Sequence, residues 1–210
     1  MIFGSQYYEL LSKLSPWRQS LFALVLTQRQ AANFGLWCEM NDNHAGLCAF
    51  KKALKSLWEF HREKFNHIDL EKVIEEVEPY MLSDEKEDLS VGDLFGLDAC
   101  LSLAASVDAI ILHDGDEAEI ASRSSLAGVI RKVEQQVGEL SDELMREQDE
   151  VDHEVNFQIE LLELLQKSKR SPNLTKSLLD KAYEDDMSNI GISLEGFEKG
   201  TVTEMGAVNV

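Results

Sequence analysis

Residues 92–113, GDLFGLDACLSLAASVDAIILH, decide the fold class. Leu94, Phe95, Leu97, Leu101, Leu103, Val107, Ile110, Ile111 and Leu112 leave few polar positions. A helix that is apolar nearly all round needs a neighbour on every side, so it belongs in the middle of a bundle. Its longest run without a charge, 99–107, is nine residues. A membrane crossing takes about 20, so no span is expected. One row in this helix is polar: Asp98, Ser102 and Ser106, at i, i+4 and i+8, share a face. A carboxylate among apolar side chains is costly unless it is paired or hydrogen-bonded. Asp98 therefore needs a cap, a Ser or Trp donor, or a buried Lys or Arg.

Outward from this helix, His113-Asp114-Gly115-Asp116 reads as a tight turn. Asp116, Glu117 and Glu119 suit the positive start of a following helix. That helix should run to about Val137, with Ile120, Ala127, Ile130, Val133 and Val137 facing inward and Gly138 closing it. Ser141 caps a segment leading into a helix of about 149–168, lined by Val151, Val155, Ile159, Leu162 and Leu165. Ser171-Pro172 starts another, with Leu174, Leu178 and Ala182 inward.

Towards the N-terminus, Ser15-Pro16 opens a helix striped by Trp17, Leu21, Leu24 and Val25 and widened by Phe22 and Leu26. A second short helix is expected over 32–40, before the loop signal Asn41-Asp42-Asn43. Leu47, Phe50, Leu54, Leu57, Trp58 and His61 mark one face of a helix over about 45–64. Asp69 can cap the next, ended by Pro79, and the acidic stretch 83–90 reads as a loop. The architecture is therefore all-α: a single compact bundle of roughly eight helices over 1–192. Residues 193–210 hold three glycines and no sustained period, which predicts a mobile tail.

The chain has 210 residues, 44% hydrophobic and 28% charged, with a net charge of −19. The charge is polarised: 1–67 hold 8 Lys+Arg against 5 Asp+Glu, whereas 68–210 hold 12 against 34. So acidic a body repels phosphate backbones and anionic lipid, which argues against direct nucleic-acid or membrane binding. It leaves a basic protein as the expected partner. The basic stretch Lys51, Lys52, Lys55, Arg62 and Lys64 could also meet the acidic part of its own chain or of a second copy, the latter giving a homodimer. Three cysteines, Cys38, Cys48 and Cys100, with no CxxC spacing, suggest reduced, buried thiols. The N-terminus MIFGSQYYE lacks a basic leader region. Together these predict a cytoplasmic protein.

No complete catalytic or metal-binding set is present. Glu150-Val151-Asp152-His153 is a single Glu-x-x-His where a di-iron bundle needs two, and its Glu and His point away from the apolar stripe. Asp114-Gly115-Asp116 has Ser125 where a calcium loop needs Glu. No HExxH, GxGxxG, GxxxxGK[ST] or GxSxG occurs. Neither a metal nor a cofactor is expected. Trp58 reads as core, and Glu59, between Lys55 and Arg62, as a surface ion pair. Two functional readings follow. The first is a non-enzymatic interaction or regulatory module. The alternative is a small-molecule-binding protein or enzyme with an interhelical pocket anchored by Asp98, with Ser102 and Ser106 beside it.

Four segments resemble a known family. They are Trp58-Glu59, Leu97-Asp98-Ala99-Cys100-Leu101-Ser102-Leu103, Ser141-Asp142-Glu143-Leu144 ahead of the acidic Leu-rich helix, and Ser188-Asn189-Ile190-Gly191-Ile192. Their order and spacing, over about 8–192, resemble the YjaG-like family of uncharacterised bacterial proteins. The resemblance implies a compact helical bacterial protein and carries no activity. Residues after Ile192 depart from the family pattern.

Overall fold

The computed structural model describes residues 2–62, 67–82 and 88–197. They contain nine α-helices: α1 Ser5–Ser12, α2 Pro16–Met40, α3 His44–Arg62, α4 Leu70–Val77, α5 Val91–Ile111, α6 Glu117–Val137, α7 Asp142–Arg146, α8 Asp149–Lys167 and α9 Pro172–Ala182. A 3-10 turn, Glu78–Tyr80, follows α4. The bundle is all-α, and its only β pairing among the described residues is the isolated bridge Met187–Ser193.

The helix starts follow local chemistry. Ser90 and Asp93 form a reciprocal capping box on α5. Asp69, Ser141 and Ser171 each accept the backbone N–H three residues on, which satisfies donors that a helix N-terminus otherwise leaves bare. In the α5–α6 turn, His113 and Gly115 take positive φ. The Glu117 carboxylate accepts from the Asp114 and Gly115 amides.

The centre is α2, packed against α3, α5, α6, α8 and α9. Eighteen of its 25 residues are buried. It is continuous where a break near Ala32 was expected. The polar run Gln28, Arg29, Gln30 and Asn33 is buried with partners on other helices, so it does not mark a surface connection. α5 lies along α2 so closely that a Cβ on Gly96 would sit 3.0 Å from the Trp37 ring and 2.6 Å from Leu82. Its most apolar window has a mean hydropathy of 1.8, long and apolar enough for a membrane crossing, yet 56% of that window is buried inside this fold. α1, unmarked by periodicity, buries Tyr7, Tyr8 and Leu11. Phe3 stacks on Tyr7 at 3.9 Å, and the Arg123 guanidinium lies over the Tyr8 ring.

Several expected faces are rotated. On α6, Ile120 and Val137 are exposed, and the buried face runs through Ala121, Ser122, Ser125, Val129 and Val133. On α8, Val151, Leu162 and Leu165 are buried as expected, but Ile159 is exposed, and Glu154, Gln158 and Leu161 join the buried face. In both helices small or polar residues hydrogen-bond inward and displace larger apolar ones. Cys38 and Cys100 are buried and Cys48 is exposed, all three as free thiols. Burial pushes the Cys38 and Cys100 thiols up to about 12, which leaves them protonated and unreactive. The chain stays packed past Ile192: Leu194 is buried and its N–H donates to the Asp186 carbonyl. Phe197 lies against Gly35 and under Lys51. Of the expected tail, 198–210 lie outside the described residues, as do 83–87 of the expected loop.

Candidate functional site

The polar row of α5 is brought together with α2, but each member takes a different internal partner. Asp98 is buried and paired with Arg131 of α6, whose side chain is 26% exposed. A buried cation was among the solutions the sequence allowed. Burial raises the Asp98 carboxyl to about 6, against the pull of Arg131. Ser102 Oγ donates to the Asp98 carbonyl and accepts from Gln30 Nε2 at 2.9 Å. Ser106 Oγ donates to the Ser20 carbonyl. Asp108 is half-buried.

Ser20 and His61 form what looks like a nucleophile–base pair, at 2.8 Å. The hydrogen-bond pattern makes it structural. Ser20 Oγ also lies 2.5 Å from the Ser106 carbonyl, which can only accept. The Ser20 proton therefore goes to that carbonyl, and His61 Nε2 carries hydrogen and donates to Ser20 Oγ. His61 Nδ1 is left bare and buried. Desolvation, helped by Arg170, lowers the ring to about 3. A general base must be able to take a proton near working pH, and this imidazole stays neutral.

A second cluster was not among the candidates read from the sequence. Arg29 of α2 donates to Glu154 of α8 at 2.5 Å, with both side chains nearly inaccessible. Ser125 Oγ and Gln158 Nε2 donate to the other Glu154 oxygen, at 2.6 and 2.7 Å. Gln158 Oε1 accepts from Ser122 Oγ at 2.6 Å and from the Tyr7 hydroxyl at 3.1 Å. The Arg29 guanidinium also lies 3.8 Å over the Phe157 ring. A buried ion pair needs such added hydrogen bonds to offset desolvation. Tyr7 ionisation is pushed far up by burial. The available signal was Glu154 itself, on one helical row with Val151, Gln158 and Leu161.

The segment Ser188-Asn189-Ile190-Gly191-Ile192 joins the two clusters. Asn189 N–H donates to the Arg29 carbonyl, and its Nδ2 donates to Ser125. Its Oδ1 accepts from Asn33 Nδ2. Ser188 Oγ accepts from the Ile190 and Ile192 amides, and Gly191 turns at φ +84. Gly128 sits between Asp98 and Asn189, where a Cβ would find both at about van der Waals distance. Two amide oxygens near this junction, Gln30 Oε1 and Asn33 Oδ1, are buried without partners.

Elsewhere, His153 is exposed and pairs with Asp185 at 3.0 Å, away from the core. Trp58 is core, its Nε1 donating to Gln28. Among the described residues no three His, Cys, Asp or Glu side chains converge as a metal-binding group.

Comparison with known proteins agrees with the resemblance read from the short motifs. An uncharacterized protein of Haemophilus influenzae is 31% identical over 185 residues, covering 87% of this chain and 94% of that protein. The uncharacterized protein YjaG of Escherichia coli is 28% identical over 185 residues, covering 87% and 93%. The crystal structure of a DUF416 family protein from Shewanella baltica superposes with a TM-score of 0.77 at 22% identity, covering 91% of this chain and 99% of that one. A family model described as a protein of unknown function, DUF416, matches residues 6–193. That span takes in every helix from α2 to α9 and the Asn189 segment that ties them together, and the chain belongs to the DUF416 family.

Proposed function

We propose that this chain is a non-enzymatic interaction or regulatory module of the cytoplasm, which docks a basic protein on its acidic outer face. The reading is carried by one observation. Over 139–152, Glu139, Asp142, Glu143, Glu147, Asp149 and Asp152 are exposed, with Leu144 exposed among them and Arg146 the one cation of the stretch. Carboxylates around an exposed leucine match a partner that offers cations around an apolar contact. Such complementarity speeds encounter and sets specificity. The inward chemistry supports the same reading, because Ser20 is committed to His61 and Glu154 to Gln158, each in its own buried cluster. The test is to isolate the tagged full chain from its own cells at about 50 mM and about 300 mM salt. A basic protein should be retained at the lower salt, released at the higher, and lost with the Glu143→Lys/Glu147→Lys variant. Retention indifferent to both salt and charge reversal overturns the reading.

A second reading is favoured by the bare Gln30 and Asn33 oxygens, on side chains that also hold Ser102 and Asn189. Bare buried acceptors suit a small ligand rich in N–H or O–H donors. Such a ligand should raise the melting temperature of the chain but not of Asp98→Asn. Equal shifts in both, or none in either, remove this alternative.

A further inference from the structure

The outer side of α5 carries a pattern that the bundle uses only in part, Ile111 being the one member packed against the core. Leu94, Leu97, Leu101, Ala104, Asp108 and Ile111 follow one another at spacings of 3, 4, 3, 4 and 3. None of the six is fully buried, and Leu101 is 41% exposed. Alternating threes and fours are the 3.5-residue period of a helix that packs knobs-into-holes against another helix. The seam runs for about 25 Å. α2, α6 and α4 all pack on α5, yet all six residues of the seam keep some exposure, so no helix among the described residues covers it completely.

The one charge in the seam selects the occupant. Asp108 is half-buried beside the carboxylates of Asp114 and Glu117, and its own carboxylate has no ion-pair or hydrogen-bond partner among the described residues. Near the other end of α5, Arg131 of α6 pairs with Asp98 and keeps its side chain 26% exposed. A parallel pair of α5 helices would set Asp108 against Asp108. An antiparallel pair about a twofold axis would set Leu101 against Ala104, Leu94 against Ile111, and Leu97 against Asp108. It would thereby bring each Asp108 to the level of the other copy's Arg131. The seam is its own complement in this orientation, as a twofold interface requires.

We propose that α5 is the dimer interface of this protein, with a second copy of the chain seated antiparallel on the Leu94–Ile111 seam and Asp108 of each copy meeting the partner's Arg131. The acidic face used above plays no part, so the two proposals stand or fall separately.

Sedimentation velocity on the full chain, from about 1 to about 100 μM, tests it. The wild type should show a concentration-dependent monomer–dimer equilibrium. Leu101→Glu should be monomeric throughout. Asp108→Arg, which opposes two cations, should weaken the dimer at least tenfold, and Asp108→Asn by less. Helical circular dichroism and melting of the variants, compared with the wild type, distinguish lost pairing from lost folding; should Leu101→Glu melt early, the Asp108 series decides. A wild type that is monomeric at every concentration overturns the proposal. So does a dimer that neither Leu101→Glu nor Asp108→Arg weakens, or a seam protected only when a different protein is added.

Discussion

α2 and α5 are the two long central helices, and they solve burial in opposite ways. α2 carries Gln19, Ser20, Gln28, Arg29, Gln30 and Asn33 into the interior and sends them to several different neighbours. α5 is far more apolar, yet it leaves a row of leucines in contact with water. Apolar packing is non-directional, so a greasy helix accepts many neighbours and registers. Buried hydrogen bonds are directional, and an unmade one is costly. α2 therefore fixes which helix lies where, and α5 supplies area, some of it to spare.

The sharpest way to break this contrast is to remove one member of the α2 network. Glu154→Ala leaves Arg29 buried and unpaired, and should cost about 3–5 kcal/mol in urea denaturation. Arg29→Met/Glu154→Leu together should cost much less, because no charge is stranded. A double variant as unstable as the single one would show that the network contributes net stability beyond avoiding a bare charge.

On α5 the two sides of one helix should differ. Leu103 is fully buried, and Leu103→Ala should lose about 2–5 kcal/mol. Leu101→Ala, two residues earlier on the outer seam, should stay within about 0.5 kcal/mol for the monomer. Equal losses would mean that the outer seam is already part of the core.

pH separates two buried groups. Asp98 has a folded pKa of about 6, above its unfolded value, so the folded chain binds the extra proton. Stability from this group is full below about pH 4 and falls as pH rises through about 6, by about 2–3 kcal/mol in all. His61 acts in the opposite sense. Its folded pKa is about 3, so its contribution is full above about 6.5 and is lost as pH falls towards 3. The difference between wild type and Asp98→Asn across pH 4–6 isolates the carboxylate. A flat difference there would place Asp98 in its ordinary ionised state.

The smallest effect is local. Ser171→Ala removes the cap on the Leu174 amide and should cost about 1 kcal/mol. It should be felt in α9 and not at either central helix, as hydrogen exchange of their amides would report.

The sequence by itself determined the helical class, the Ser-Pro starts of α2 and α9, and the need of Asp98 for a partner. Each follows from a near-neighbour rule: 3.6-residue periodicity, cap chemistry, or the cost of a bare charge. The neighbour on every side that 92–113 was expected to have is missing at Leu101, which is 41% exposed. The identity of partners was decided in three dimensions. Glu154 stands among solvated acids in the sequence and becomes buried only because Arg29, 125 residues away, is folded against it. The separate helix expected over 32–40 is instead the continuation of α2, whose polar run at 28–33 stays buried because Tyr183, Ser102 and Asn189 arrive to receive it. Periodicity also misplaced part of the inner faces of α6 and α8, setting Ile120, Val137 and Ile159 inside where they are exposed. A serine or glutamine that completes a buried hydrogen bond can displace an isoleucine from the core, and that trade depends on donors the linear sequence does not bring together.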